Sequence, residues 1–171
     1  MDVNNNKKKN LSSEEKGLSA DFYQAAKEQV RMANQLNVPI MTGTDVTDSY
    51  IFAGFSVHDE LEELTKSGLT PLEAIQSATI TPARYAKQQD DYGTIEVGKI
   101  ADIILLDKNP LQDIKNSTTI VGVFTHGLYY DSDKIEELKT YTASISSSFH
   151  MNIKVLYSLI KSPLIRVQFA D

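Results

Sequence analysis

A chain of 171 residues with 41% hydrophobic and 23% charged side chains has the make-up of a globular domain, not of a disordered one. Its formal net charge of −6 argues against phosphate-backbone binding, which needs clustered lysine and arginine. With no cysteine there can be no disulfide or thiolate metal site, and no apolar stretch approaches the ~18 residues of a membrane span.

Residues 1–18 are expected to be a disordered polar leader, in which Lys7-Lys8-Lys9 is a solvated run. The leader lacks the apolar core of a signal peptide, which suits a cytosolic protein unless a further segment precedes Met1. Ser12 and Glu15 have capping-box spacing, but no apolar run follows closely. The first helix is therefore expected at about 20–36, capped by Ser19, with Phe22, Ala26, Val30, Ala33 and Leu36 near helical spacing.

Val38–Met41 reads as a brief buried strand, with Pro39 near its start where a missing N–H is tolerated. It runs into Gly43-Thr44-Asp45. Barrels and open α/β sheets keep their active sites at the carboxyl ends of strands, so Asp45 is the first candidate functional residue. An aspartate after glycine is also an ordinary turn.

Ser56 with Asp59 has the spacing of a second capping box, opening a helix through Val57, Leu61 and Leu64 that closes at Gly68. Thr70-Pro71-Leu72-Glu73 repeats the signal with proline at the first helical position, and Leu72, Ile75 and Thr79 share one face. Thr81-Pro82 starts a further short helix through Tyr85. The pattern changes at Tyr92-Gly93: Ile95 and Val97 alternate with polar residues, Gly98-Lys99 marks a turn, and Ile100–Leu106 is a strand interrupted by Asp102. Thr119–Phe124 and Leu128–Tyr130 flank His126-Gly127, a two-residue hairpin. Helical periodicity returns from Asp131 through Ile135, Leu138 and Tyr141 and softens at Ser144–Ser148. Two more helices are expected, one with Met151, Val155, Leu156 and Leu159 and one from Ser162-Pro163.

The strand at 38–41 finds no parallel partner in the chain. Each buried backbone group left unpaired costs about 1–3 kcal/mol, so another polypeptide or segment is expected on both its sides.

The chemistry is incomplete as well. No His-x-His, Gly-x-Ser-x-Gly or phosphate-cradling glycine loop occurs. His58 lies in the first turn of its helix, 13 positions after Asp45, near enough to line the same pocket; a helix-terminal polar role is the plainer reading. His126 reads as a turn residue, His150 as a helix cap, and Asp48 as the cap of a local turn. Asp45 and His58 together supply two metal ligands at most, where three or more are usual.

Gly43-Thr44-Asp45, Gly54-Phe-Ser-Val-His58-Asp-Glu-Leu61, Ser67-Gly68-Leu-Thr-Pro71-Leu-Glu-Ala74, Thr81-Pro82-Ala83, Tyr92-Gly93-Thr-Ile-Glu-Val-Gly98-Lys99-Ile-Ala101-Asp102-Ile-Ile-Leu-Leu106-Asp107 and Asn109-Pro110-Leu-Gln-Asp113-Ile114 follow one another in the order seen in the amidohydrolase superfamily. The chain most resembles its imidazolonepropionase and prolidase-like branch. That resemblance implies an α/β fold, a (β/α)₈ TIM barrel with one or two divalent metals, usually zinc, that activate water to hydrolyse carbon–nitrogen bonds. It further implies that 19–91 are the last barrel units (helix seven, strand eight and the helix-eight region), 92–130 the C-terminal strands of a small composite β-sandwich, and 131–171 terminal helices. Asp45 matches the acid after the eighth strand, which in the family contacts metal and takes the proton of the metal-bound water, and His58 becomes a candidate substrate contact. The family's His-x-His and later histidines have no counterpart here, so the chain is expected to be a C-terminal fragment, inactive alone. Its expected partners are a small-molecule substrate and the missing N-terminal barrel half or a second copy, with no nucleic acid or membrane. The alternative is a non-catalytic remnant that binds a partner through the open barrel edge.

Overall fold

The computed structural model describes residues 12–46 and 51–146. The backbone falls into two units: one runs through Asp102 and takes in Leu106–Ile120, and the other comprises Ile103–Leu105 and the chain from Val121.

The first unit opens with helix α1 (Ser13–Gln35), which starts inside the stretch expected to be a leader. Ser12 and Glu15 do form the reciprocal box: the Ser12 N–H donates to Glu15 Oε2 at 2.8 Å and the Glu15 N–H to Ser12 Oγ at 3.2 Å. Satisfying two first-turn donors outweighs Gly17 and the lack of an adjacent apolar run. Ser19 is an interior helical residue, not the cap. Val38–Met41, expected as a strand, forms none: it joins no sheet, and among the described residues no strand pairs with it.

Helix α2 (Ser56–Lys66) departs from its expected start. Its N-cap is Phe55, with no side-chain cap, because Ser56 Oγ accepts the Phe52 N–H at 2.9 Å and is not free to close the box with Asp59. Helix α3 (Pro71–Ala78) has its box complete: the Thr70 N–H donates to Glu73 Oε2 at 2.7 Å and the Glu73 N–H to Thr70 Oγ1 at 3.2 Å. Helix α4 (Ile80–Tyr85) begins two residues earlier than Pro82 suggests; its N-cap Thr79 spends its hydroxyl on the Ile75 carbonyl at 2.8 Å.

Leu61 and Leu64 of α2, Leu69, Ala74 of α3 and Ile114 make the core of this unit, and Val30, Ile40 and Ile75 pack against it. Ile40 thus ties this segment to the helices. The stretch expected to alternate as a strand at 95–97 is a loop. Lys99 clips it shut, its ammonium donating to the Gln89 carbonyl at 2.7 Å and to Thr94 Oγ1 at 2.6 Å. Gly93, at φ 94°, lets the loop lie on α4: a Cβ there would sit 2.8 Å from the Cα of Ile80. A 3-10 helix (Ile114–Thr118) that the sequence reading did not anticipate buries Ile114 and Ser117.

The second unit holds strands β1 (Ile103–Leu106), β2 (Ile120–Thr125) and β3 (Leu128–Asp131), apart from Leu106 and Ile120, which belong to the first unit, in the order β1-β2-β3. The β1 strand is shorter than the apolar run implied and begins just after Asp102. The β2–β3 hairpin is antiparallel with Thr125 opposite Leu128, and His126 and Gly127 turn it at φ 51° and 74°, the two positive values that such a loop requires. On one face Phe124 and Tyr129 stack at 4.7 Å between ring centroids, and the Tyr129 ring covers Gly122 closely enough that a Cβ would meet it at 2.7 Å. Asp131 then caps helix α5 (Ser132–Ser146), its carboxylate accepting the Lys134 N–H at 3.0 Å. The break expected at Ser144–Ser148 does not stop α5 before Ser146. The helices expected at Met151–Leu159 and from Ser162 lie outside the described residues. What the described residues form is a partial α/β assembly.

Candidate functional site

The segment that carries Asp45 is pinned two residues after Ile40. The Thr42 N–H donates to the Ser77 carbonyl at 3.0 Å, and the Thr42 and Ser77 hydroxyls lie 2.6 Å apart. Ser77, almost fully buried in α3, donates its own hydroxyl proton to the Ala74 carbonyl at 2.7 Å, so the Thr42 hydroxyl is the donor of that pair. Thr42 and Ser77 are positioning groups that the sequence reading missed, because 35 positions separate them and no local pattern joins them.

Three residues on, Asp45 is exposed and adopts φ 50°. This left-handed geometry is rare for residues other than glycine, and aspartate is among the few that enter it readily. The backbone turns sharply there and leaves the carboxylate in solvent.

His58 lies in the first turn of α2, half-buried, with Nδ1 2.9 Å from the buried Ser117 Oγ. Burial lowers its pKa below the ordinary histidine value, and the neighbouring Asp59 carboxylate opposes that shift. The imidazole therefore favours its neutral form and ties α2 to the 3-10 helix. His126 stands exposed at the hairpin tip beside the Thr125 hydroxyl, at 3.0 Å. Asp48 and His150 lie outside the described residues.

Asp45 and His58 do not complete a metal centre. Among the described residues no group of three or more histidine, aspartate or glutamate side chains is gathered to hold an ion. The residues present therefore do not fit a metal by themselves. An open groove of about 630 Å³ lies elsewhere in the same unit, between Asn34, Val38, Ile40, Met41, Arg84 and Tyr85, and neither Asp45 nor His58 lines it.

The sequence profile of the amidohydrolase family matches residues 11–130, more than half of the chain. The imidazolonepropionase of Pyrobaculum arsenaticum is 40% identical over 73 residues, 43% of this chain and 18% of that protein. Among solved structures, a Xaa-Pro dipeptidase with methionine bound in its active site superposes with a TM-score of 0.55 at 31% identity, covering 62% of this chain and 25% of the other. Molinate hydrolase gives a TM-score of 0.54 at 30% identity, with 60% and 25% covered. The chain thus spans about a quarter or less of the length of these three relatives. The family expected from the ordered motifs is borne out by all of these matches, and the chain belongs to the amidohydrolase family.

Proposed function

We propose that this chain contributes the C-terminal part of a hydrolase that cleaves the carbon–nitrogen bond of a cyclic amide or dipeptide, and that Asp45 is its proton acceptor. The observation that carries the reading is the backbone at Asp45: a segment locked by Thr42 and Ser77 ends in a left-handed turn that presents one carboxylate. A carboxylate held by its backbone needs little reorganisation to accept a proton from an attacking water. Amidohydrolases are generally metal-dependent, and a bound divalent ion, zinc in this proposal, brings the pKa of water toward ~7. Its remaining ligands would come from polypeptide outside this chain. The same proposal makes residues 19–45 the seventh helix and the eighth strand of a (β/α)₈ barrel, and gives His58 a substrate-facing role in the complete enzyme.

The test is co-expression with a polypeptide carrying the family's N-terminal barrel portion, followed by zinc analysis and assays on cyclic amides and Xaa-Pro dipeptides. The expected result is bound zinc and hydrolysis that falls at least ~100-fold on Asp45→Asn, a loss in the range of positioned acid–base groups. An active assembly indifferent to Asp45→Asn would sink the assignment. The second reading is a non-catalytic module that binds a partner through the open barrel edge. Stable assembly without zinc or turnover would support it.

A further inference from the structure

The last turn of helix α3 ends against the segment that carries Asp45. A helix leaves its final four carbonyls without partners of its own. Here the Ile75 carbonyl accepts the Thr79 hydroxyl at 2.8 Å, and the Gln76 carbonyl accepts the Thr79 N–H at 3.2 Å. The Ser77 carbonyl is satisfied from outside the helix, by the Thr42 N–H at 3.0 Å. The helix end and the Asp45 segment therefore fix each other.

The Ser77 side chain adds a second bond. It is 2% exposed and one turn from the fully buried Ala74, a place where alanine would pack with no polar atom to satisfy. Because Ser77 Oγ donates to the Ala74 carbonyl, it has only acceptor capacity left, and the Thr42 hydroxyl fills it at 2.6 Å. The side-chain bonds thus run one way, from Thr42 to Ser77 to the Ala74 carbonyl. Among the described residues, Thr42 makes the last hydrogen bonds before Asp45. Two residues earlier, Ile40 packs on the leucine core. Every one of these anchors belongs to this chain.

We propose that Thr42 and Ser77 form a clamp that sets the backbone carrying the Asp45 carboxylate, and that they do so within this chain, before any further barrel polypeptide is added. Both are positioning residues, and neither is a reacting group. A carboxylate preset in this way spares reorganisation in the transition state, so the clamp acts on turnover and not on substrate affinity. This inference deepens the hydrolase reading and rests on it for the kinetic prediction alone.

The first measurement uses the full chain by itself, with amide exchange and proton contacts read by nuclear magnetic resonance. Protection of the residue-42 amide should fall about 5-fold or more in Thr42→Val and in Ser77→Ala, the scale of one hydrogen bond, and recover in Thr42→Ser. The close contact between the amide and α protons of Asp45, a mark of its positive φ, should weaken in the same two variants. A pair that serves stability only would lower the urea midpoint and leave the Asp45 signal as it was. In the co-expressed assembly, Thr42→Val should lower kcat about 10-fold at unchanged KM, with Thr42→Ser close to native. Unchanged protection and an unchanged Asp45 signal in both variants would overturn the clamp. So would full turnover by Thr42→Val in an assembly that Asp45→Asn inactivates, and the hydrolase reading would then survive. An assembly that is inactive, or indifferent to Asp45→Asn, removes the hydrolase reading, and the exchange data then decide the clamp.

Discussion

His58 and Ser117 give the residue scale its clearest energetic test, because their contact joins α2 to the 3-10 helix through one half-buried ring and one buried hydroxyl. A histidine whose folded pKa is depressed binds fewer protons folded than unfolded. Its contribution to stability is complete above the ordinary value of 6.5, declines as pH falls from there, and is lost once pH passes below the depressed folded value. Urea midpoints should therefore fall between pH 7.5 and 5.5 more steeply for the native chain than for His58→Gln. Parallel midpoint curves for the two proteins would remove His58 as the source. Asp45 presents a different situation: its side chain is in solvent and its backbone conformation is the notable feature. Replacing it with asparagine, which also tolerates the left-handed region, tests chemistry without adding strain.

At the scale of elements, caps decide where the helices begin. Thr70 and Glu73 satisfy each other's backbone donors at the start of α3, the helix whose Ala74 and Ser77 are buried. Thr70→Ala should cost about 1 kcal/mol, read as a lowered urea midpoint at unchanged slope, and a loss under about 0.3 kcal/mol would mean the box contributes little. This box was legible in the sequence because serine or threonine, proline and glutamate at fixed spacing have few other uses. The Ser56 box had the same spacing and does not form, since a nearby backbone N–H at Phe52 captures the hydroxyl first. The Ser12 box lacked an adjacent apolar run and forms anyway. Spacing identifies candidates for capping, and local competition for each oxygen decides among them. The hairpin at His126-Gly127 was legible for a stronger reason, that two consecutive positive φ angles admit few residue pairs. The 3-10 helix was not legible, because Ile114 and Ser117 are held by tertiary contacts with α2 that no local pattern encodes. At the candidate site, Asp45 could be read from the end of an apolar run, whereas Thr42 and Ser77 are brought together from 35 positions apart and could not.

For the whole molecule, the fate of the apolar side chains is the governing quantity. The chain is 41% hydrophobic, yet the buried hydrophobic residues described are Leu61, Leu64, Leu69, Ala74, Ala83 and Ile114, while Leu18, Phe22, Leu36, Phe52, Phe55, Ile95 and Val97 stand exposed. Heat capacity of unfolding follows the apolar surface that unfolding exposes, at about 12–15 cal/mol/K per residue for ordinary globular proteins, or roughly 2–2.5 kcal/mol/K for a chain this long. Calorimetry on the isolated chain should give clearly less than about 2 kcal/mol/K, because much of its apolar surface is already in water in the folded state. A full-sized heat capacity from the chain alone would mean that the exposed leucines and phenylalanines are covered in solution. Sedimentation at the calorimetric concentration would then identify a second copy as the cover if the mass doubled.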